Sequence, residues 1–195
     1  MRCLMKYKNI ILMAIAPVII SACSLNTNDG NMLAQMTFNH IKPFPVYVAS
    51  YEPVNINEGK SHLLPEGFVA DPAPLIFNYL SSRFEASGKQ GKLRIEIKDV
   101  VIRHEIVSSN NNLGAVIGLG KRDHYNVKAY IDIVVLGRDH IDKRTQSMTV
   151  SRNIYIADNL SLVEREKLQM QALDNMVDDL DIALRKVLRE TFEIL

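Results

Sequence analysis

Thiols are nearly absent from this chain. Of its 195 residues only Cys3 and Cys23 carry one, and both precede residue 24. The rest of the chain has no means to build a disulfide, a thiolate metal site or a cysteine nucleophile. Long apolar runs are missing too. After residue 22 no hydrophobic segment approaches the roughly 20 residues that cross a bilayer as a helix. Nor is there an excess of either charge. Arg2, Lys6 and Lys8 lie before residue 23, so the 23 Lys+Arg fall to 20 beyond it, against 22 Asp+Glu. That side-chain balance of −2 argues against a nucleic-acid binder, which usually presents a basic surface.

Motifs of catalysis are also lacking. The sequence contains neither H-E-x-x-H nor G-x-S-x-G, and His40, His62, His104, His124 and His140 are scattered. Gly114, Gly118 and Gly120 do not form G-x-G-x-x-G. Gly120-Lys121 fails as a phosphate loop, because Ala115 replaces the first glycine and Arg122 stands where Ser or Thr must bind the metal. Function has to be argued from a site, and the sequence displays no catalytic one. The expectation is a protein that is not an enzyme and needs no cofactor or metal. Without disulfides it must be held by its core, and the 173 residues that remain after the first 22 of 195 suffice for that.

What is present begins at the N-terminus. Arg2, Lys6 and Lys8 form a positive region, and Ile10 to Ile20 follows as an uncharged apolar run too short to span a bilayer. Ile20-Ser21-Ala22-Cys23 closes it with small and branched residues before a cysteine, as processing segments require. This stretch resembles the lipobox of bacterial lipoprotein precursors. The resemblance implies cleavage of residues 1–22, S-diacylglycerol on Cys23 and an N-linked acyl chain such as palmitate on its new amino group. Several acyl chains together hold a protein stably at a membrane, which one alone does not. Ser24, a non-aspartate after the cysteine, resembles the signal for transport to the outer membrane, with the domain on the periplasmic face.

Residues 23–40 read as a lipidated tether. Asn26-Thr-Asn-Asp-Gly-Asn31 cannot fold alone, whereas Met32, Leu33, Met36 and Phe38 are candidates to dock on the body. Residues 41–195 are expected to form a single periplasmic domain. Pro43-Phe-Pro45 leads into a short edge strand at Val46-Tyr-Val-Ala49. Glu52 to Pro74, rich in Pro and Gly, reads as a loop, and loops this long are often functional. Asp71 and the prolines after it suit a helix start. Leu75, Ile76, Tyr79, Leu80 and Phe84 share one face, and Gly88 ends the run.

Three strands are expected next. Leu93, Ile95 and Ile97 alternate with Arg94, Glu96 and Lys98, after which the apolar phase moves to Val100, Ile102 and Ile106. A one-residue slip of that kind predicts a β-bulge. Tyr125 to Val135 and Met148 to Ile156 alternate likewise, with a turn over Gly137–Lys143, so short connections imply an antiparallel meander. Ser161-Leu-Val-Glu164 has capping-box spacing and opens a helix to near Phe192 with an apolar stripe at Leu173, Val177, Leu180, Leu184 and Val187. The expected fold is α+β, in the order β-α-β-β-β-α, with both helices packed on one face of an antiparallel sheet.

Three features stand outside this scheme. Leu113-Gly-Ala-Val-Ile-Gly-Leu-Gly120 is apolar where a hairpin tip should be polar. It either extends the strands and folds onto the core, or forms a finger that enters a partner, an acyl chain or a bilayer. In the second case Leu113, Ala115, Val116, Ile117 and Leu119 make the contact, and Lys121 and Arg122 suit acidic headgroups. Arg152 sits on the apolar phase of its strand, which fits an edge where its stem packs and its head reaches water. Asp174, Asp178 and Asp181 lie near one helical face, read as a solvated face partly offset by Arg185 rather than as a metal site.

A lipidated cysteine, a short tether and one domain of this order resemble a class of envelope lipoproteins. It includes the lipopolysaccharide-assembly accessory lipoprotein and the auxiliary lipoproteins of ABC-type lipid transport. The resemblance implies a membrane-anchored accessory protein for envelope assembly or lipid transport, acting by protein–protein interaction rather than catalysis, within an envelope complex. It makes the Gly114–Gly120 tip and the Glu58–Ala70 loop the contact candidates. The alternatives are a structural adaptor of a secretion or other envelope complex, and a periplasmic enzyme or small-ligand binder. A carrier would have an apolar cavity between helices and sheet, an adaptor a filled core with an exposed apolar patch, and an enzyme polar groups converging in a cleft.

Overall fold

The computed structural model describes Phe38 and residues 41–57, 64–108, 121–138 and 141–195. The targeting segment with Cys23, the tip residues Leu113, Ala115, Val116, Ile117 and Leu119, and residues 58–63 of the long loop lie outside the described residues. In chain order the elements are β1 (Phe44–Val46), β2 (Ser50–Asn55), α1 (Pro72–Arg83), β3 (Phe84–Ala86), β4 (Lys92–Ser108), β5 (Lys121–Arg138), β6 (Ile141–Ala157) and α2 (Leu162–Glu190).

Alternation of apolar and polar residues builds β4, β5 and β6 into the expected antiparallel meander. Leu93, Ile95, Ile97, Val127, Ile131, Ile133 and Ile156 turn to one face and are buried there. Both helices cover that face, and their side chains join those of the sheet in a single apolar cluster. The bulge is where the phase slip placed it: Ile97 opposes Ile131, Asp99 opposes Tyr130, and Lys98 is the extra residue. Asp99 Oδ1 accepts from the Val100 amide at 2.9 Å, and the Lys98 carbonyl accepts from Asn57 Nδ2 at 2.8 Å.

Local chemistry sets the helix starts. Asp71 accepts from the Ala73 amide at 2.9 Å, and a proline occupies the first turn of α1, where no amide partner is needed. Ser161 and Glu164 close both bonds of the capping box. In α2 the buried stripe runs through Leu173, Val177, Leu180 and Leu184 and ends on Leu188. The helix is roughly 44 Å long at 1.5 Å per residue.

The first third of the chain departs from expectation. Of the strand expected at Val46–Ala49 only Val46 is in a strand, as the end of β1, and Tyr47 to Ala49 form a bend before β2. Strand β1 pairs in parallel with β3, while β2 adds a parallel edge to β4, giving the order β2-β4-β5-β6. Part of the region read as loop is therefore strand. Five of the six β2 residues are half-buried and none is fully so, which leaves no alternation to read, and Pro53 is tolerated because the strand is at an edge. Helix α1 stops at Arg83, before Gly88. Gly88 serves a close approach instead: a Cβ there would lie 2.5 Å from the Tyr47 carbonyl carbon. The β5–β6 turn is also tighter than expected, with Arg138 already opposite Ile141.

Candidate contact sites at the hairpin end and the helix cleft

Beyond Val100 the core-facing row of β4 becomes Ile102, His104 and Ile106, and Ile106 is 66% exposed. Asp123 faces this row from β5 and gathers its polar groups. His104 Nε2 lies 2.8 Å from Asp123 Oδ1, and Arg165, in the first turns of α2, donates to Oδ2. The carboxylate contact requires the His104 proton on Nε2. Burial pushes the Asp123 carboxyl up, but the hydrogen bonds from Arg165 and His104 outweigh it and hold the group below its ordinary value. The His104 ring stacks on Tyr125 at 4.5 Å between centroids.

Residues 64–70 of the long loop close over the same region. Fully buried Gln169 accepts from the Val69 amide at 2.7 Å and donates to the Gly67 carbonyl at 2.8 Å. Tyr125 donates to the Glu66 carbonyl at 3.1 Å. Gly67 has φ +74, a conformation glycine adopts without strain, and a Cβ there would meet the Tyr125 hydroxyl at 3.1 Å. The Leu64–Ala70 part of the loop is therefore stapled down, with Phe68 and Ala70 in the core.

Lys121 and Arg122, the described members of the tip's expected contact set, open β5 opposite Ser108 and Val107, and both are exposed. At the same end the first residues of α2, Leu162 and Val163, are 71% and 73% exposed. The hairpin end thus combines exposed apolar side chains with two exposed basic ones.

A second arrangement lies between α1 and α2. A cavity of about 310 Å³ is lined by Phe38, Tyr79, Val177 and the carboxylates of Asp174, Asp178 and Asp181, among others. Phe38, from the segment read as tether, is buried and packs edge-on against Tyr79. Asp181 accepts from Arg83 Nε at 2.7 Å, from Arg83 Nη2 at 3.1 Å and from the Tyr79 hydroxyl, and pairs with Arg185 at 2.8 Å. The Phe44 ring lies under both guanidinium groups, at 4.1 and 5.1 Å. Burial raises the Asp181 carboxyl, while Arg83 and Tyr79 lower it further, so it stays ionised; burial and that carboxylate hold the Tyr79 phenol protonated. The oxygens of Asp181 are thus committed to tying α2 to α1. The three aspartates read as one solvated face are divided, with Asp174 and Asp178 exposed and Asp181 turned inward.

The other face of the sheet carries no described helix. On it His124 stacks on Tyr155 at 4.5 Å, and Asn153 Oδ1 accepts from Asn126 at 2.7 Å. Arg152 is half-buried on edge strand β6, as its place in the pattern suggested, and pairs with Asp179 at 2.9 Å, a partner 27 residues away that spacing could not name. The Asp123–Arg165 and Gln169–loop contacts were likewise invisible in the sequence, because each joins residues at least 42 apart. Among the described residues no helix is long and apolar enough to cross a membrane.

No protein-family model and no curated protein matches the chain. Several solved structures align with it, among them two lipoproteins. One is the crystal structure of the rare lipoprotein B from Shewanella oneidensis, at 10% identity and a TM-score of 0.38, covering 71% of this chain and 92% of that one. The other is the crystal structure of a minor lipoprotein from Acinetobacter baumannii, at 14% identity and a TM-score of 0.36, covering 74% of this chain and 93% of that one. Likeness at this level carries no argument about what this chain does.

Proposed function

We propose that this chain is an accessory lipoprotein, anchored through acylated Cys23 on the periplasmic face of the outer membrane. It serves envelope assembly or lipid transport by binding rather than catalysis. The observation that supports this reading is the hairpin end, where Ile106, Leu162 and Val163 stand exposed beside Lys121 and Arg122. Exposed apolar side chains gathered at one place mark contact sites more often than chance surface. The Asp123 cluster beneath them is arranged to hold a surface in place, since its carboxylate is already occupied by Arg165 and His104.

The second reading, a structural adaptor of an envelope complex, draws on the interior. The space between helices and sheet is filled by side chains such as Leu75, Leu80, Ile95, Ile133 and Leu184, each at most 1% exposed. Such packing favours contact at the surface over carriage of an acyl chain inside the fold.

Two measurements test the proposal. Mass spectrometry of the protein purified from membranes should find acylated Cys23, and Cys23→Ala should release the chain to the soluble fraction. A photoreactive residue at Ile106 or Val116, with a control at Lys128, should crosslink in intact envelopes to a barrel or transporter subunit. Crosslinks no stronger than the control would remove the hairpin end as the contact.

A further inference from the structure

We propose that the outer edge of β6 pairs antiparallel with β6 of a second copy of this chain, forming a continuous eight-stranded sheet. The two edges of the described sheet are built differently. Strand β2 has six residues, Pro53 in its middle, and Glu52 tied to Lys92 at 2.7 Å and Arg94 at 3.6 Å. A short strand, a proline and fixed charges are the means by which proteins blunt an edge. Strand β6 has 17 residues and no proline. Its ladder to β5 runs without a shift from Ala157 opposite Arg122 to Ile141 opposite Arg138, so no bulge turns the edge away. Between Thr145 and Ile156 the only charged side chain is Arg152, already held by Asp179. No described strand covers this edge.

A second copy fits the edge by symmetry and by charge. A two-fold axis perpendicular to the sheet keeps both pairs of helices on one side and makes the interface self-complementary. With Val150 on the axis, Thr149 opposes Ser151, Ser147 opposes Asn153 and Thr145 opposes Tyr155, pairs that suit cross-strand contact. On the helix side Arg152 opposes Met148, and no like charges meet between Lys143 and Ala157. Moving the axis to Met148 would set Arg144 against Arg152, so charge disfavours that register. Above the edge, α2 presents Leu168 and Ile182, 38% and 62% exposed, on the stripe that passes through Asp179. The same stripe of the second copy would cover them.

The test uses the full lipoprotein in detergent, with sedimentation to read its mass and disulfide trapping to read the register. The double variant Thr149→Cys/Ser151→Cys should form interchain disulfides, and Thr145→Cys/Ser151→Cys, which marks the Met148-centred register, should form far fewer. Thr149→Lys, at an exposed position, should leave the thermal transition unchanged and weaken the dimer at least about tenfold. A monomer at every concentration would overturn the proposal, and so would a dimer that Thr149→Lys leaves intact. It would equally fall if β6 crosslinked to a strand of another envelope protein, or to the chain's own N-terminal segment, in place of a second copy.

Discussion

The two halves of the long sheet, on either side of Lys98, are closed by different means. From Lys92 to Ile97 and from Ile131 to Val135 the sheet lies under α1 and α2, and its core-facing side chains are buried aliphatics. Toward Ser108 and Lys121 the same face carries His104, Asp123 and a 66% exposed Ile106. There the closure is made by an Arg–Asp–His cluster, a ring stack and the Gln169 staple. Apolar closure is insensitive to small shifts and shields its contents from water. Polar closure is directional and depends on each partner being present. The first half anchors the fold, and the second holds a particular surface in a particular place.

Substitutions should grade this contrast. Ile95→Ala, in the apolar half and fully buried, should cost about 2–5 kcal/mol in equilibrium denaturation. A loss under about 1 kcal/mol would mean that the helices do not seal that half as tightly as their packing indicates. Gln169→Leu should cost about 1–3 kcal/mol, because it removes the side-chain partner of the half-buried Val69 amide and of the Gly67 carbonyl while conserving bulk. Its signature is faster hydrogen exchange at Val69 with little change at Ile133.

Asp123→Asn should cost about 1–2 kcal/mol, less than breaking a fully buried pair, because Arg165 and His104 keep some access to water. Asp123 and Asp181 both have folded-state carboxyls below the ordinary value. Their contribution is complete above the unfolded carboxylate range and is lost as pH falls through the folded value. Wild-type stability should therefore decline from about pH 4 downward, and Asp123→Asn should flatten that decline. An unchanged acid slope in the variant would remove Asp123 from the account. Ile106→Ala should change stability by under about 0.5 kcal/mol, yet reduce crosslinking of the hairpin end to the proposed partner. A large stability loss with unaltered crosslinking would reverse the role assigned to that side chain.

The parts legible in the sequence were those governed by period and by local bonds. Alternation located β4, β5 and β6, the slip between Ile97 and Val100 located the bulge, and Ser161 with Glu164 located the start of α2. Strand β2 was hidden because a half-buried parallel edge has neither alternation nor turn chemistry, and Pro53 argued against it. Gly88 was mistaken for a helix stop because a glycine needed for close approach has the same local signature as one needed for a turn. At the candidate sites, Lys121 and Arg122 were singled out in the sequence, and the fold leaves both exposed. Asp123, Arg165 and Gln169 were not singled out, and Asp181 was named only beside Arg185 on a solvated face, because their other partners are brought together only by the fold.

The bulge at Lys98 also has a mechanical side. The last paired residues of β2 and β4 are Asn55 and Ile97, and the Lys98 carbonyl that would continue the ladder is capped by Asn57. The sheet is therefore four strands wide on one side of this point and three on the other. A beam that narrows in one step does not bend evenly when its free end is loaded. It yields at the step, toward the flank that lost its support, while α2 stiffens the opposite flank along β6. A pull at the hairpin tip would concentrate its rotation about Lys98 and leave the packed end undeformed.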